Sequence, residues 1–510
     1  MATKEELRLA LARGVSAGLD QFFRTCIEAL GHDLAPEIIA SAAPLTAGVC
    51  QNEASIWQVL GLAHRALQDS AAAHEAFTRA LALAPTDKLV AHSRARTAME
   101  AGFPAAGQFG QALALTPDDP ALVQGRAAAL LAEGERDQAI EELAARLDRV
   151  PDWLEGHRAL AKIRAMAGSN REALSSLRCA LQRDPKSFAL WATMIGIALH
   201  ADDYLLAREC VDEARAALGS HPEFDRIEAI SLSETGQPEA AQQIFASLPH
   251  VARASVVIHP LRNLIRLRRF EEAARLAEQR LPGDEDFALW PYRALLWRLL
   301  GDQRWEALEG DPRLIASYNL KQEIGPIDEL AALLRELHRV VGRPIDQSVR
   351  GGSQTDGNLV ARAEPAIRRL RGALLDAVED YVARLPKAQP GHPTLIPVRA
   401  PLQFQGSWSV LLRGAGFHVD HVHPQGWISS ALYIALPEGE GGIASPMQDE
   451  AGWLKFGEAQ TLVPELKAFR AERPEVGKLV LFPSTTWHGT RPFGRGERIS
   501  VAFDIARPRQ

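Results

Sequence analysis

Four histidines stand close together near the C-terminus of this chain, and histidine is the commonest side-chain ligand for transition metals. His418, His421 and His423 lie within six residues, and His488 follows on a separate, strand-like segment. Ten residues beyond His488, Arg498 opens a run that continues through Ser500. A close pair of imidazole or carboxylate groups, a distant histidine and a later arginine together suit a non-haem iron(II) centre that uses 2-oxoglutarate. The pair and the lone histidine take one face of the metal and leave the other open for co-substrate and dioxygen. The planar guanidinium offers the distal carboxylate of 2-oxoglutarate a bidentate partner. The chemistry to expect is oxidation.

Two registers are open for the close pair. His418 with Asp420 reproduces a two-histidine, one-carboxylate set, whereas His421 with His423 makes a set of three imidazoles with His488. Strand alternation lets one pair face the metal but not both, because 418 and 421 have opposite parity. In the three-imidazole register the centre is one charge more positive. Whether Asp420 then accepts from a ligand imidazole is left open, and His418 faces the surface or the substrate. Along residues 498–505, Arg498 and Ser500 share one face and Ile499, Val501 and Phe503 the other. A jelly roll with a histidine-bound metal can also bind or isomerise rather than oxidise. A buried guanidinium without an anion is costly, however, and that counts against an unliganded shell.

The elements that must position these groups are strands. From about residue 396 the chain becomes short apolar runs between glycines and prolines: 407–414, 427–437, 477–483 and 498–505. Their number and spacing predict a β-sandwich or barrel of jelly-roll type. Before them come an amphipathic helix over about Pro365 to Arg384 and a helix-containing connector from about residue 310. Between those two, residues 346–355 are rich in glycine and hydrogen-bonding side chains and show no helical or strand period. They are expected to be a tether or a site-lining loop.

The earlier part of the chain repeats. Residues 54–87 fit the tetratricopeptide pattern: Trp57, Leu60, Gly61 and His64 on a first helix, Ala73, Phe77 and Ala80 on a second, and Pro85 closing the unit. Closing prolines recur at Pro117, Pro151 and Pro185, at intervals of 32, 34 and 34 residues. Small residues at Gly61, Ala73 and Ala80 let the helices approach, and Phe77 fills the groove. The expected organisation is capping helices over 1–50, a helical solenoid over 51–310, a connector with its glycine-rich loop over 311–395, and the strand domain over 396–510. Such a solenoid binds an extended peptide or a protein in its groove, or braces its neighbour.

Composition narrows the class. At 510 residues the chain needs more than one core, and its net charge of −7 with interspersed signs leaves no basic footprint for nucleic acid. No apolar run is long enough to cross a bilayer, so no membrane partner is expected. The first residues lack a secretory pattern, and Cys26, Cys50, Cys179 and Cys210 are widely spaced, none in a Cys-x-x-Cys pair. A cytoplasmic protein with reduced, mostly buried thiols is the expectation.

Residues 346–359, 406–437, 452–458 and 477–505, taken with the repeats, carry a resemblance. The C-terminal part is similar to the double-stranded β-helix of the 2-oxoglutarate/iron(II) dioxygenases in the prolyl-hydroxylase-like superfamily, specifically to oxygenases found behind tetratricopeptide arrays in bacteria. The resemblance implies an α+β multidomain protein, an all-α tetratricopeptide solenoid followed by a jelly roll, with iron(II), 2-oxoglutarate and dioxygen as cofactor and co-substrates. His488 then matches the distal metal ligand, and Arg498 with Ser500 the pair that grips the 2-oxoglutarate carboxylate. Tyr433 stands where many relatives place a tyrosine bonded to the same carboxylate. The resemblance favours His421 and His423 as the close pair, with His418 and Asp420 as the alternative. The function implied is hydroxylation of a peptide or protein substrate recruited by the solenoid. The alternative is a non-catalytic or sensory metal-binding scaffold that recruits protein partners.

Overall fold

The computed structural model describes residues 2–48, 50–166, 170–249, 251, 253–279, 281, 287–339, 349–437 and 450–508. They form two compact units, one of residues 1–145 with 357–371, the other of residues 146–356 with 372–510.

The first unit is helical. Lys4–Ala12, Leu19–Leu30 and Ala35–Ala42 precede hairpins whose helices are Ala54–Ala66 with Ser70–Leu83 and Lys88–Glu100 with Ala106–Leu115. Three of the turns are punctuated by an aspartate, Asp69, Asp87 or Asp119, that accepts backbone N–H groups of the following helix. The repeat signature has a steric cause. The Phe77 ring lies so close to Gly61 that a Cβ there would stand 2.8 Å from it, and Phe109 leaves even less room at Gly125. Residues 357–371 join this unit through Ala363, whose N–H donates to the Ala101 carbonyl at 2.9 Å.

The second unit has helical hairpins of its own, followed in sequence by the strands. Its helical hairpins include Phe188–His200 with Tyr204–Leu218, Pro222–Glu234 with Pro238–Ser247, and Ala254–Arg266 with Phe270–Ala277, followed by Trp290–Leu300. The strands are β1 (Ala316–Asn319), β2 (Val349–Gln354), β3 (Phe404–His418), β4 (Gly426–Ala435), β5 (Leu454–Phe456), β6 (Arg470–Glu472), β7 (Lys478–Pro483), β8 (His488–Thr490) and β9 (Glu497–Ala506). Six form an antiparallel sheet in the order β1-β7-β4-β9-β3-β2, and three form a second sheet in the order β6-β5-β8. Tyr433, Leu454, Phe456, Val480 and Phe482 fill the space between them. This is the jelly roll, and it follows the helical solenoid.

The glycine-rich stretch departs from expectation. Val349–Gln354 is a strand, paired with β3, with a register shift between Arg350 and Gly352. Its glycines serve close approach: Gly351 has φ +75°, and a Cβ at Gly352 would lie 2.2 Å from the Leu411 carbonyl oxygen. A bulged edge strand pressed against its neighbour shows no apolar alternation, which is why it reads as a loop. Asp346, Gln347 and Ser348 lie outside the described residues.

Solenoid and strands share a core in this unit. Val257, Leu261, Ile265, Tyr292 and Leu295 pack with Ala459, Leu462, Val463 and Trp487, and the half-buried Val422 joins them.

Candidate active site

β3 ends at His418, and residues 419–425 leave the sheet before β4 begins. The chain is recaptured there by backbone bonds. His421 and His488 exchange N–H···O bonds of 2.9 and 3.0 Å, and the His423 N–H donates to the Ser484 carbonyl at 2.9 Å. These pairings bring one ring nitrogen from each of His421, His423 and His488 to within 4.8 Å of one another.

Their tautomers follow from the partners of Nδ1. That atom meets the Val419 carbonyl at 2.8 Å in His421 and the Thr486 carbonyl at 3.0 Å in His488. A carbonyl only accepts, so Nδ1 carries the proton and Nε2 the lone pair. In His423, Nδ1 meets both carboxylate oxygens of Asp504, at 2.7 and 2.9 Å. Burial, reinforced by the neighbouring His423, lowers the His421 pKa to about 3, and burial followed by the neighbouring imidazoles drives His488 well below its usual range. Neutral imidazoles with converging lone pairs are what a divalent transition metal needs.

The alternative pair is placed differently. His418 lines the same cavity, its ring 6.1 Å from that of His421, but it is outside the group of three. Asp420 is turned away: Lys455 Nζ lies 2.8 Å from Oδ1, and the Gln460 N–H donates to Oδ2 at 2.9 Å. The parity argument fails because the strand ends before the cluster does, so 418, 421 and 423 all reach the cavity. The carboxylate that supports a ligand imidazole is Asp504, at His423. Asp504 was detectable, since on β9 it shares parity with Arg498 and Ser500. Ser429 holds the carboxylate in turn, its Oγ 2.6 Å from Oδ1.

Arg498 is 2 % exposed. Its Nη1 donates to the Gly452 carbonyl at 3.0 Å, while Nε has no hydrogen-bond partner. The Tyr433 ring lies 5.7 Å from the guanidinium, and the Tyr433 hydroxyl is buried and likewise unpartnered. Burial pushes the phenol up to about 12 and lowers the guanidinium, so both groups favour their neutral forms relative to water. Ser500 sits directly opposite Tyr433 between β4 and β9 and opposite Val410 between β3 and β9. Orphaned donors around a buried cation form a receptor for an anion with several oxygens.

Histidines, Arg498, Tyr433 and Ser500 share one cavity of about 600 Å³. Its wall includes Arg350 and Gln354 of β2, from the stretch expected as a tether or site-lining loop, and residues that sequence reasoning passed over: Trp408, whose ring lies 5.6 Å from that of His423, and Leu199, His200 and Asp202 of the solenoid. The last three carry no local signal, because long-range folding alone brings them here.

Residues 406–504 match a family model described as "Putative 2OG-Fe(II) oxygenase". No curated protein matches the chain. Among solved structures, a Pseudomonas putida prolyl-4-hydroxylase is 18% identical, covering 40% of this chain and 98% of its own, with a TM-score of 0.26. A tetratricopeptide repeat protein from Parabacteroides merdae is 14% identical over 48% of this chain and 91% of its own, with a TM-score of 0.29. HygX from Streptomyces hygroscopicus, with nickel and 2-oxoglutarate bound, is 12% identical over 38% of this chain and 82% of its own, with a TM-score of 0.26. The matched segment contains His418, His421, His423, His488, Arg498 and Asp504, and the chemistry that the family's description names is that of oxygenases using iron(II) and 2-oxoglutarate with dioxygen.

Proposed function

We propose that the protein is an iron(II)- and 2-oxoglutarate-dependent oxygenase that hydroxylates a peptide or protein recruited through its solenoid. The observation that carries the co-substrate is Arg498, a buried cation whose Nε and whose neighbour Tyr433 Oη both lack partners. A distal carboxylate of 2-oxoglutarate satisfies both, with Ser500 as a third donor. His421, His423 and His488 would hold iron(II) through Nε2, a set of three neutral ligands with Asp504 behind one of them.

When bound, iron with 2-oxoglutarate and dioxygen supplies the oxidising power. The chain's own contribution is positional. Nδ1–H bonds to Val419, Thr486 and Asp504 fix the imidazole planes. Phe482, whose ring lies 4.7 Å from that of His488, and Leu454 help wall the cavity. A low-dielectric wall strengthens the Arg498–carboxylate attraction and limits water at the oxidising centre.

The test is release of succinate from 2-oxoglutarate by iron-loaded protein without added substrate, in wild type and in His488→Ala. Slow turnover in wild type that vanishes in the variant supports an oxygenase. Absence of turnover in wild type, with iron and 2-oxoglutarate both bound, favours the non-catalytic scaffold.

A further inference from the structure

The cavity's outer rim is built by two segments remote from the histidine cluster. Helix Phe188–His200 of the solenoid ends there, and Leu199, His200 and Asp202 line the cavity alongside Arg350 and Gln354 of β2. One ion pair joins the two sides, Arg350 Nη2 to Asp202 Oδ2 at 3.1 Å, with side chains 37% and 59% exposed. Any substrate that reaches the metal centre past this rim meets that pair.

Its two members are not equally committed. A carboxylate accepts up to about four hydrogen bonds. Asp202 accepts two, from Arg350 and from the Tyr204 hydroxyl at 3.2 Å, and most of its surface faces solvent. Arg350 donates to the Val349 carbonyl as well as to Asp202, and has a further partner. Asp202 is therefore the more accessible member of the pair to an incoming group. The C-terminal end of helix Phe188–His200 adds a negative dipole end at the same place. Asp202 itself has φ +54°, which Asp and Asn adopt more readily than other non-glycine residues.

Resting on the polypeptide-substrate reading above, we infer that Asp202 recognises a basic side chain flanking the modified residue, and that Arg350 occupies that cation's place until substrate arrives. The solenoid thus supplies a specificity-determining carboxylate to the oxygenase pocket, in addition to any groove it offers. Removing Arg350 removes a competitor, so recognition gains; a merely structural ion pair loses from the same change.

The experiment uses full-length, metal-loaded protein and three series of short fluorescent peptides, randomised except for fixed Lys, Ala or Glu beside the central position. Binding is read by anisotropy and helical content by circular dichroism. Lys peptides bind about two- to fivefold more tightly than Ala peptides, the size expected of one exposed charge contact, Glu peptides bind more weakly than either, and the margin shrinks with salt. Asp202→Asn, which keeps the left-handed turn accessible, abolishes the margin, and Arg350→Gln tightens Lys-peptide binding. Asp202→Asn with Arg350→Gln together shifts preference away from Lys peptides, and unchanged helical content shows that the loss is not one of fold. Equal binding of the three series, a Glu preference in wild type, or weaker Lys binding in folded Arg350→Gln overturns the inference. If no peptide series binds, the polypeptide reading fails and spermidine decides what remains: binding lost in Asp202→Asn keeps the cation site, and no binding overturns it.

Discussion

Replacing Asp504 by Asn isolates what a negative charge behind one imidazole does for the metal. Three histidines converge, and two have their Nδ1–H groups held by neutral carbonyls of Val419 and Thr486. Only His423 has a carboxylate there, with both oxygens within 2.9 Å. Asp504 is 8% exposed and is fixed from its other side by Ser429, whose Oγ is also 2.9 Å from that of Ser484. An Asn side chain can keep an acceptor on His423, as the carbonyls do for the other two, so the substitution removes charge with little change of shape. Loss of such a partner costs about 10- to 100-fold in metal affinity, or about 1.4–2.7 kcal/mol. The assay is a chelator-competition titration with iron(II) under anaerobic conditions, repeated with cobalt(II). The expected result is unchanged stoichiometry with affinity lower by one to two powers of ten, and Ser429→Ala falling between wild type and Asp504→Asn. Unaltered affinity in Asp504→Asn would refute the idea that the carboxylate compensates for an all-imidazole centre.

Arg498→Lys keeps a cation but loses the planar fork, so 2-oxoglutarate affinity measured by calorimetry should fall about 10- to 100-fold while iron binding survives; unchanged affinity reassigns Arg498 to structure. His423→Ala should lose iron more completely than Asp420→Ala, whose carboxylate is already engaged by Lys455, and the opposite order in a metal-content assay restores the carboxylate register. Acid stability should report His338, whose ring bridges Ser353 and Ser409 and whose pKa burial lowers from 6.5 to about 4. Between those values the unfolded chain binds more protons, so this contribution is fully present above pH 6.5 and is lost as pH falls towards 4. It is worth about 3 kcal/mol. Urea melts of wild type and His338→Gln should show a shallower decline in the variant across that window; parallel curves remove His338 from the account.

What was legible in the sequence was what regular elements carry. The repeat is visible because Phe77 needs Gly61 beneath it, and β9 because Arg498 and Ser500 alternate with Ile499, Val501 and Phe503. The proximal cluster resisted the same logic, since parity holds only while a strand lasts and β3 stops at His418. Asp420 then depends on Lys455, a residue of β5 that no local pattern connects to it. β2 was hidden by glycines that serve contact with Leu411 and not flexibility. Asp504 is a different case: its parity placed it beside Arg498 and Ser500, but a lone acid at the end of an apolar strand is equally what a solvated strand terminus shows.

The solenoid also enters the site at a level below substrate recognition. Val422 lies between His421 and His423, and Trp487 directly precedes His488; both pack into the core formed with helices Ala254–Arg266 and Trp290–Leu300. Trp487 is 4% exposed, its Nε1–H donates to the Pro291 carbonyl at 3.0 Å, and its ring meets that of Tyr292 edge-on at 5.7 Å. Arg298 adds bonds to the carbonyls of Gly457 and Lys467, which flank the chain segment holding Asp420 in place. Burying a side chain the size of Trp487 contributes on the order of 3 kcal/mol, most of which is lost if those helices are absent. Both peptide segments that present imidazoles are therefore backed by repeat helices as well as by β-sheet. A chain cut at residue 310 would expose the apolar faces of Trp487 and Val422 to water, loosening the backbone that converges His421, His423 and His488. The repeats closest to the strands are part of the scaffold of the proposed metal centre, and the proposed catalytic unit extends beyond the strands that carry its candidate ligands.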